Sequence, residues 1–163
     1  MITTGFSFYL DRERDPGIAP RHKHDCYELI LYLSGSGVAT VDGQDYPFSP
    51  GSLALVPPEV PHNDRYDSPT QVWCLGFFSD NAIPATVIGT DSDDFSTIFA
   101  QIGREWLRGD AGGIRIIGYL TEILVLRFLR LTSPPEEDSS ADRRIRYTAQ
   151  YIRSNLSEDE IGR

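Results

Sequence analysis

Cysteine is scarce. Cys26 and Cys74 are the only two in 163 residues, too few for a disulfide framework to hold a chain of this length. Positive charge is short as well: 15 Lys and Arg stand against 24 Asp and Glu, for a net charge of −9. A surface that grips a phosphate backbone is therefore not expected within these residues. No run approaches the ~18 apolar residues that a membrane-spanning helix needs. The longest apolar region, Ile114 to Leu131, is broken by Arg115, Glu122, Arg127 and Arg130. The start, Met1-Ile-Thr-Thr-Gly5, has neither the basic residues nor the apolar core of a secretion signal. These absences point to a soluble cytoplasmic protein with no membrane partner. The length suits one domain with a short appendage.

What is present changes character near residue 80. Before it the chain reads as strands. Gly5–Leu10 is a short aromatic strand, and Asp15-Pro16-Gly17 with Ala19-Pro20 marks a loop. Tyr27–Leu33, Val38–Val41, Tyr46–Phe48, Leu53–Val56 and Val72–Phe78 follow, the last being the final clear strand. Asp42-Gly43 signals a tight hairpin. Short strands separated by turn signals predict a mainly β sandwich or barrel. After Ser79 the period turns helical. Asp91-Ser-Asp-Asp94 offers N-cap residues, with Phe95, Ile98, Phe99, Ile102 and Trp106 at helical spacing behind them. Gly109 to Gly113 ends that helix, and a second runs from about Ile114 to Leu131. Its apolar arc is wide enough to be covered on two sides, one by its own barrel and one by a second copy of the chain. Residues 132–140 (TSPPEEDSS) have linker composition, and 141–156 are helical again. The division expected is 1–80 for the barrel, 81–132 for a helical segment and 133–163 for a linker and the start of something further.

Histidine is rarer than aspartate or glutamate, and its placing is informative. The only three are His22, His24 and His62. Glu28 follows His24 by four residues. His22, His24, Cys26 and Glu28 share parity, so a regular strand would present them on one face. His62 ends the stiff run Pro57-Pro-Glu-Val-Pro61, which can hold one side chain rigidly. Together they form an N,N,O,N set suited to Zn, Ni, Fe or Mn with positions left open. The other reading is polar lining: the histidines hydrogen-bond to Glu28 and to each other around a ligand cavity. Tyr32, Tyr46, Phe48 and Trp73 can line an apolar part of such a pocket, or be ordinary barrel core.

Gly17, His22-Lys23-His24, Glu28 and Gly35 resemble the first cupin motif, and Gly51, Pro57 and His62 resemble the second. The resemblance implies a cupin barrel, the jelly-roll-like double-stranded β-helix, followed here by an antiparallel helix pair and a C-terminal linker helix. Three departures stand out. The lead from Gly17 to His22 is one residue short, Glu59 occupies a position that is often glycine, and Tyr66 one that is often asparagine. Residues 20–64 further resemble the N-terminal sensor domain of AraC-type transcription regulators, and Arg144–Leu156 resembles the helix that opens their DNA-binding part. That likeness implies a small polar effector, a sugar for example, bound near His22, His24, Glu28, Tyr32, Tyr46 and His62. It also implies a closing N-terminal arm (Met1–Arg14) and a homodimer through the helices, with Ile116, Leu120, Ile123, Leu124, Arg127 and Leu131 at the interface. Arg143, Arg144, Arg146 and Arg153 would lie near DNA or form a solvated face. The helix-turn-helix motifs that bind DNA would fall beyond Arg163, so the chain looks cut short. The competing expectation is a stand-alone cupin metalloenzyme (dioxygenase, isomerase or lyase) using the three histidines and Glu28.

Overall fold

The computed structural model describes residues 4–89, 93–132, 145 and 147–150. Nine strands come first: β1 (Thr4–Arg14), β2 (Gly17–Ile18), β3 (Tyr27–Tyr32), β4 (Gly37–Val41), β5 (Gln44–Phe48), β6 (Leu53–Val56), β7 (His62–Tyr66), β8 (Thr70–Ser79) and β9 (Thr86–Ile88). Among the described residues the helices α1 (Asp93–Arg108) and α2 (Ala111–Thr132) follow. The strands form two antiparallel sheets, ordered β1-β8-β3-β6-β9 and β2-β7-β4-β5. This is a mainly β, jelly-roll-like barrel of the cupin type with a helix pair after it. Residues Met1–Phe128 make one compact unit, and Leu129–Arg163 fall in another. The described part of the latter is the end of α2 together with residues 145 and 147–150, which are helical. The linker composition, the four arginines expected near DNA, and Asp91 and Ser92 of the expected cap lie outside the described residues.

Two apolar layers explain the strand sequences. Alternate residues of β3 and β8, such as Ile30, Tyr32 and Val72, pack inside the barrel with Val41, Phe48 and Val56. The intervening ones, Leu29, Leu31, Leu75 and Phe77, are buried on the other face. A strand buried on both faces reads as a continuous apolar run, and all six residues of β3 (YELILY) are buried. Burying each Leu or Ile of this kind contributes roughly 1.5–3 kcal/mol. α1 packs on the outer face, where the rings of Trp73 and Phe99 stack at 6.2 Å. Trp73 therefore faces the helix and not the barrel interior, where both expected readings, pocket wall and barrel core, would place it.

The edge strand β1 changes face midway. Its pairing with β8 shifts register between Phe6 and Phe8, the mark of a bulge at Ser7. Phe6 meets Trp106 of α1, 5.4 Å between ring centroids. Phe8 turns the other way and meets His24 at 5.5 Å. The hairpin expected at Asp42-Gly43 is present: both residues have positive φ (50° and 79°), as a type I′ turn requires, and Val41 pairs with Gln44.

Three boundaries differ from expectation. β1 continues through the charged run Asp11–Arg14, which an edge strand tolerates. β7, sequence HNDRY, was not expected at all because its inward positions are polar. β9 pairs with β6, so the sheet runs past residue 80, the expected end of the barrel, and Val72–Phe78 is not the last strand. The glycines after residue 109 also break less than expected. Asp110 caps α2, its carboxylate accepting the Gly113 N–H at 2.6 Å, and Gly112 and Gly113 sit in the first helical turn.

Candidate functional site

One donor atom from each of His22, His24, Glu28 and His62 lies within 4.8 Å of all the others. The sequence expectation that these four converge is met, though not by the expected route. Only Glu28 belongs to a regular strand of the first motif. Residues 23–26 are not strand, so pleat parity does not align the histidines, and Cys26 is no member of the group. His22 instead forms an isolated bridge with His62, each N–H donating to the other's carbonyl at 3.0 and 2.9 Å. His24 is held by its carbonyl, which accepts the Glu59 N–H at 2.7 Å. Glu59 adopts φ 61°, the left-handed conformation that glycine favours. That explains why glycine is common at this motif position. Here the ion pair between Glu59 and Lys23 accompanies the strained residue.

The rings are aimed by their Nδ1 atoms. His22 Nδ1 donates to the Pro20 carbonyl at 2.9 Å, and His62 Nδ1 donates to the Val60 carbonyl at 3.0 Å. A neutral imidazole protonated at Nδ1 carries a lone pair at Nε2. Yet His62 Nε2 faces Glu28 Oε2 at 3.0 Å, and His24 Nε2 faces the same oxygen at 3.4 Å. Lone pair against carboxylate is repulsive, so a cation must stand between them. It is either a proton on His62 or a metal ion. The donor set fits a divalent transition metal: three imidazoles, two of them oriented from behind by carbonyls, plus one carboxylate. These four residues can hold it.

Without metal the proton solution dominates. Burial alone would raise the Glu28 carboxyl, but the hydrogen bonds and charges of His24 and His62 outweigh it and hold it down at about 2. Burial pulls His62 down, while the Glu28 hydrogen bond and the Val60 carbonyl push it above its ordinary value. The sign of the stability effect follows. His62 binds its proton more tightly folded than unfolded, so its contribution is present below about pH 6.5 and fades as pH rises through the folded value. Glu28 contributes above about pH 4.3 and fades toward about pH 2. Chelator-treated protein is therefore expected to lose melting temperature from pH 6 to pH 8. Metal needs unprotonated imidazoles, so with zinc added the slope should reverse. Identical slopes with and without zinc would rule out a metal in the cluster.

Beside the cluster is an open cavity of 660 Å³, lined by Glu13, Arg14, Asp15, Ile18, His22 and Tyr66 among others. Tyr32, expected as a ligand contact, is fully buried and donates its hydroxyl to Asp64 Oδ1 at 2.9 Å. Tyr46 packs half-buried against the same interior cluster. Asp64 and Tyr66 were missed in the sequence, and so was Cys74 as a neighbour of Glu28. Burial raises the Cys74 thiol, and its hydrogen bond to Glu28 adds to the effect. The period-two pattern of β7 could have revealed Asp64 and Tyr66, had that strand been recognised. Of the expected interface residues, Ile116, Ile123 and Leu131 are exposed, and Leu120 and Arg127 are half-buried. Leu124 is fully buried within its own fold and so is not available to a partner.

A family profile described as AraC-like ligand binding domain matches residues 4–102. Among curated proteins none matches. Among solved structures, the chain is similar to a protein from Thermotoga maritima described as a predicted oxalate decarboxylase, at 19% identity over 45% of this chain and 67% of that one, TM-score 0.42. It is similar to a cupin protein from Bacteroides fragilis at 20% identity over 48% and 70%, TM-score 0.40. It is also similar to a protein from Pseudomonas aeruginosa described as glyoxylate induced, at 17% identity, TM-score 0.45, matching 55% of this chain but only 40% of that one.

Proposed function

Because the chain belongs to the family of AraC-like ligand binding domains, we propose that it is the effector-sensing domain of an AraC-type transcription regulator. The observation that carries this reading is the cavity beside the His/Glu cluster: His22 lines it and is one of the four converging donors. A small polar molecule enters there, beside His22, His24, Glu28 and His62, which would hold a divalent ion (Zn, Ni, Fe or Mn). The ion would supply an electrophilic anchor for a ligand oxygen. The protein supplies rigid imidazoles and a closed apolar interior behind them. Ligand and apo forms differ in the arrangement of arm and helices, and the effector acts by favouring one of them.

The domain works as a homodimer through α2. Exposed Ile116, Tyr119, Ile123 and Leu126 follow at steps of three and four residues, a stripe of the kind that seats a second helix. DNA contact falls to other residues of such a regulator, since the net charge of −9 repels phosphate. Native mass spectrometry of untagged protein, isolated without added metal, tests the reading. The expected result is a dimer carrying metal and an exchangeable small molecule. A concentration-independent monomer that takes up neither would defeat it.

A metalloenzyme reading has one specific support, the completeness of the four-residue shell, which exceeds what binding a sugar demands. Such a site would activate a bound water or substrate oxygen. Recovery of the co-purified molecule chemically unchanged after long incubation with metal-loaded protein counts against it.

A further inference from the structure

β7 turns three alternate residues inward: His62, Asp64 and Tyr66. The first belongs to the His/Glu cluster, and the other two have no part in holding a metal. Asp64 is half-buried. Its Oδ1 accepts the Tyr32 hydroxyl at 2.9 Å, and its Oδ2 accepts the Tyr66 hydroxyl at 2.9 Å. Both phenol protons are thus committed to one carboxylate. What the group offers outward is lone pairs only, on the carboxylate and the phenol oxygens. Among the described residues no Lys or Arg forms an ion pair with Asp64. Aromatic core lies behind it. Tyr32 lies flat on Phe48, 3.9 Å and 9° apart, and Phe48 meets Tyr66 edge-on at 6.1 Å. Tyr66 also lines the open cavity together with His22.

We propose that Asp64 with Tyr66 is the second half of the effector site and takes a primary ammonium group, while the His/Glu cluster and its metal take a carboxylate on the same molecule. This rests on the sensing reading above and specifies its ligand class: a short amino acid or close analogue. An ammonium brings three donors and no acceptor, the complement of the acceptor-only Asp64–Tyr66 pair; the cavity lining also carries Arg14. A hydroxyl brings one donor, and a methyl group leaves the carboxylate facing an apolar surface. The separation is short as well. His62 and Asp64 are alternate residues of one strand, about 6.6 Å apart along it, so only a few atoms divide the two ends of the ligand.

Three probes of one shape test this: β-alanine, 3-hydroxypropionate and propionate, titrated calorimetrically into the zinc-loaded protein. β-Alanine is expected to bind about tenfold or more tightly than propionate, as charge-assisted hydrogen bonds imply, with 3-hydroxypropionate between. In Asp64→Asn, near in shape and checked by its melting curve, the preference should vanish while propionate binds as before. Asp64→Glu, which keeps a carboxylate on the strand, should keep a preference for β-alanine and serves as a second variant if Asp64→Asn folds poorly. Equal binding of all three probes, or a preference that survives in Asp64→Asn, overturns the ammonium assignment and leaves the sensing reading standing. Binding of none of them to protein that holds zinc overturns both.

Discussion

Glu28→Ala is expected to cost the metal-free protein about 3–5 kcal/mol at pH 6, the usual loss when one partner of a buried ion pair is removed. Glu28 is 5% exposed, as is His62, so water cannot replace the missing carboxylate. His24 and His62 both lose their anionic partner, and the Cys74 thiol loses its hydrogen bond as well. Metal uptake should fall further than stability does. Partners outside the coordination shell are worth about 10–100-fold in affinity, so removal of a direct ligand is expected to cost at least about 100-fold. Glu28→Gln separates the two effects: it keeps the shape and one hydrogen bond but loses the charge. Denaturant unfolding and competition against a chromogenic zinc chelator read the two quantities. If Glu28→Ala matched the native protein in both, the cluster would be no electrostatic unit.

Gly37→Ala should also have a large effect, for a reason unrelated to charge. A Cβ at Gly37 would overlap the Arg65 carbonyl oxygen of β7 and sit 2.6 Å from the edge of the Phe48 ring. Neither neighbour can retreat, because Gly37 pairs with both Phe48 and Tyr66 and Phe48 is stacked on Tyr32. Overpacking of this kind costs about 1–3 kcal/mol, more where backbone must shift. Gly43→Ala is the natural control. Gly43 has φ 79°, and a methyl group there would meet nothing within 4 Å, so only the left-handed backbone penalty of about 1 kcal/mol applies. Gly37→Ala should therefore melt well below Gly43→Ala. The reverse order would mean that the β4–β7 approach is looser than described.

Much of this was legible in the sequence wherever local chemistry and burial agree. β3 and β6 are apolar because both faces are covered, and the type I′ hairpin is written in Asp42-Gly43. The four metal-ligand candidates were identifiable from residue type and motif spacing. What stayed hidden is where function overrides pattern. β7 places His62, Asp64 and Tyr66 inward, so the polar side chains that mark the site erase the apolar alternation that marks a strand. The faces of the first-motif histidines were also misjudged, since a loop and one isolated backbone bridge position them where a continuous strand was expected. Trp73 shows the same difficulty from the other side: sequence gives its strand but not which of two buried layers receives it.

The backbone bridge between His22 and His62 carries a consequence for kinetics. Two candidate ligands forty residues apart are joined by reciprocal N–H to carbonyl bonds, with both rings braced from behind. The loop connecting them is closed by folding itself, before any ion arrives. Ordering a residue's backbone costs about 1–2 kcal/mol, and at this site that cost falls on folding, not on coordination. Ion capture would then require little chain rearrangement. Its rate would be set by how fast an arriving ion sheds water and how readily His62 gives up its proton, and the free energy of coordination would remain available to discriminate among ions.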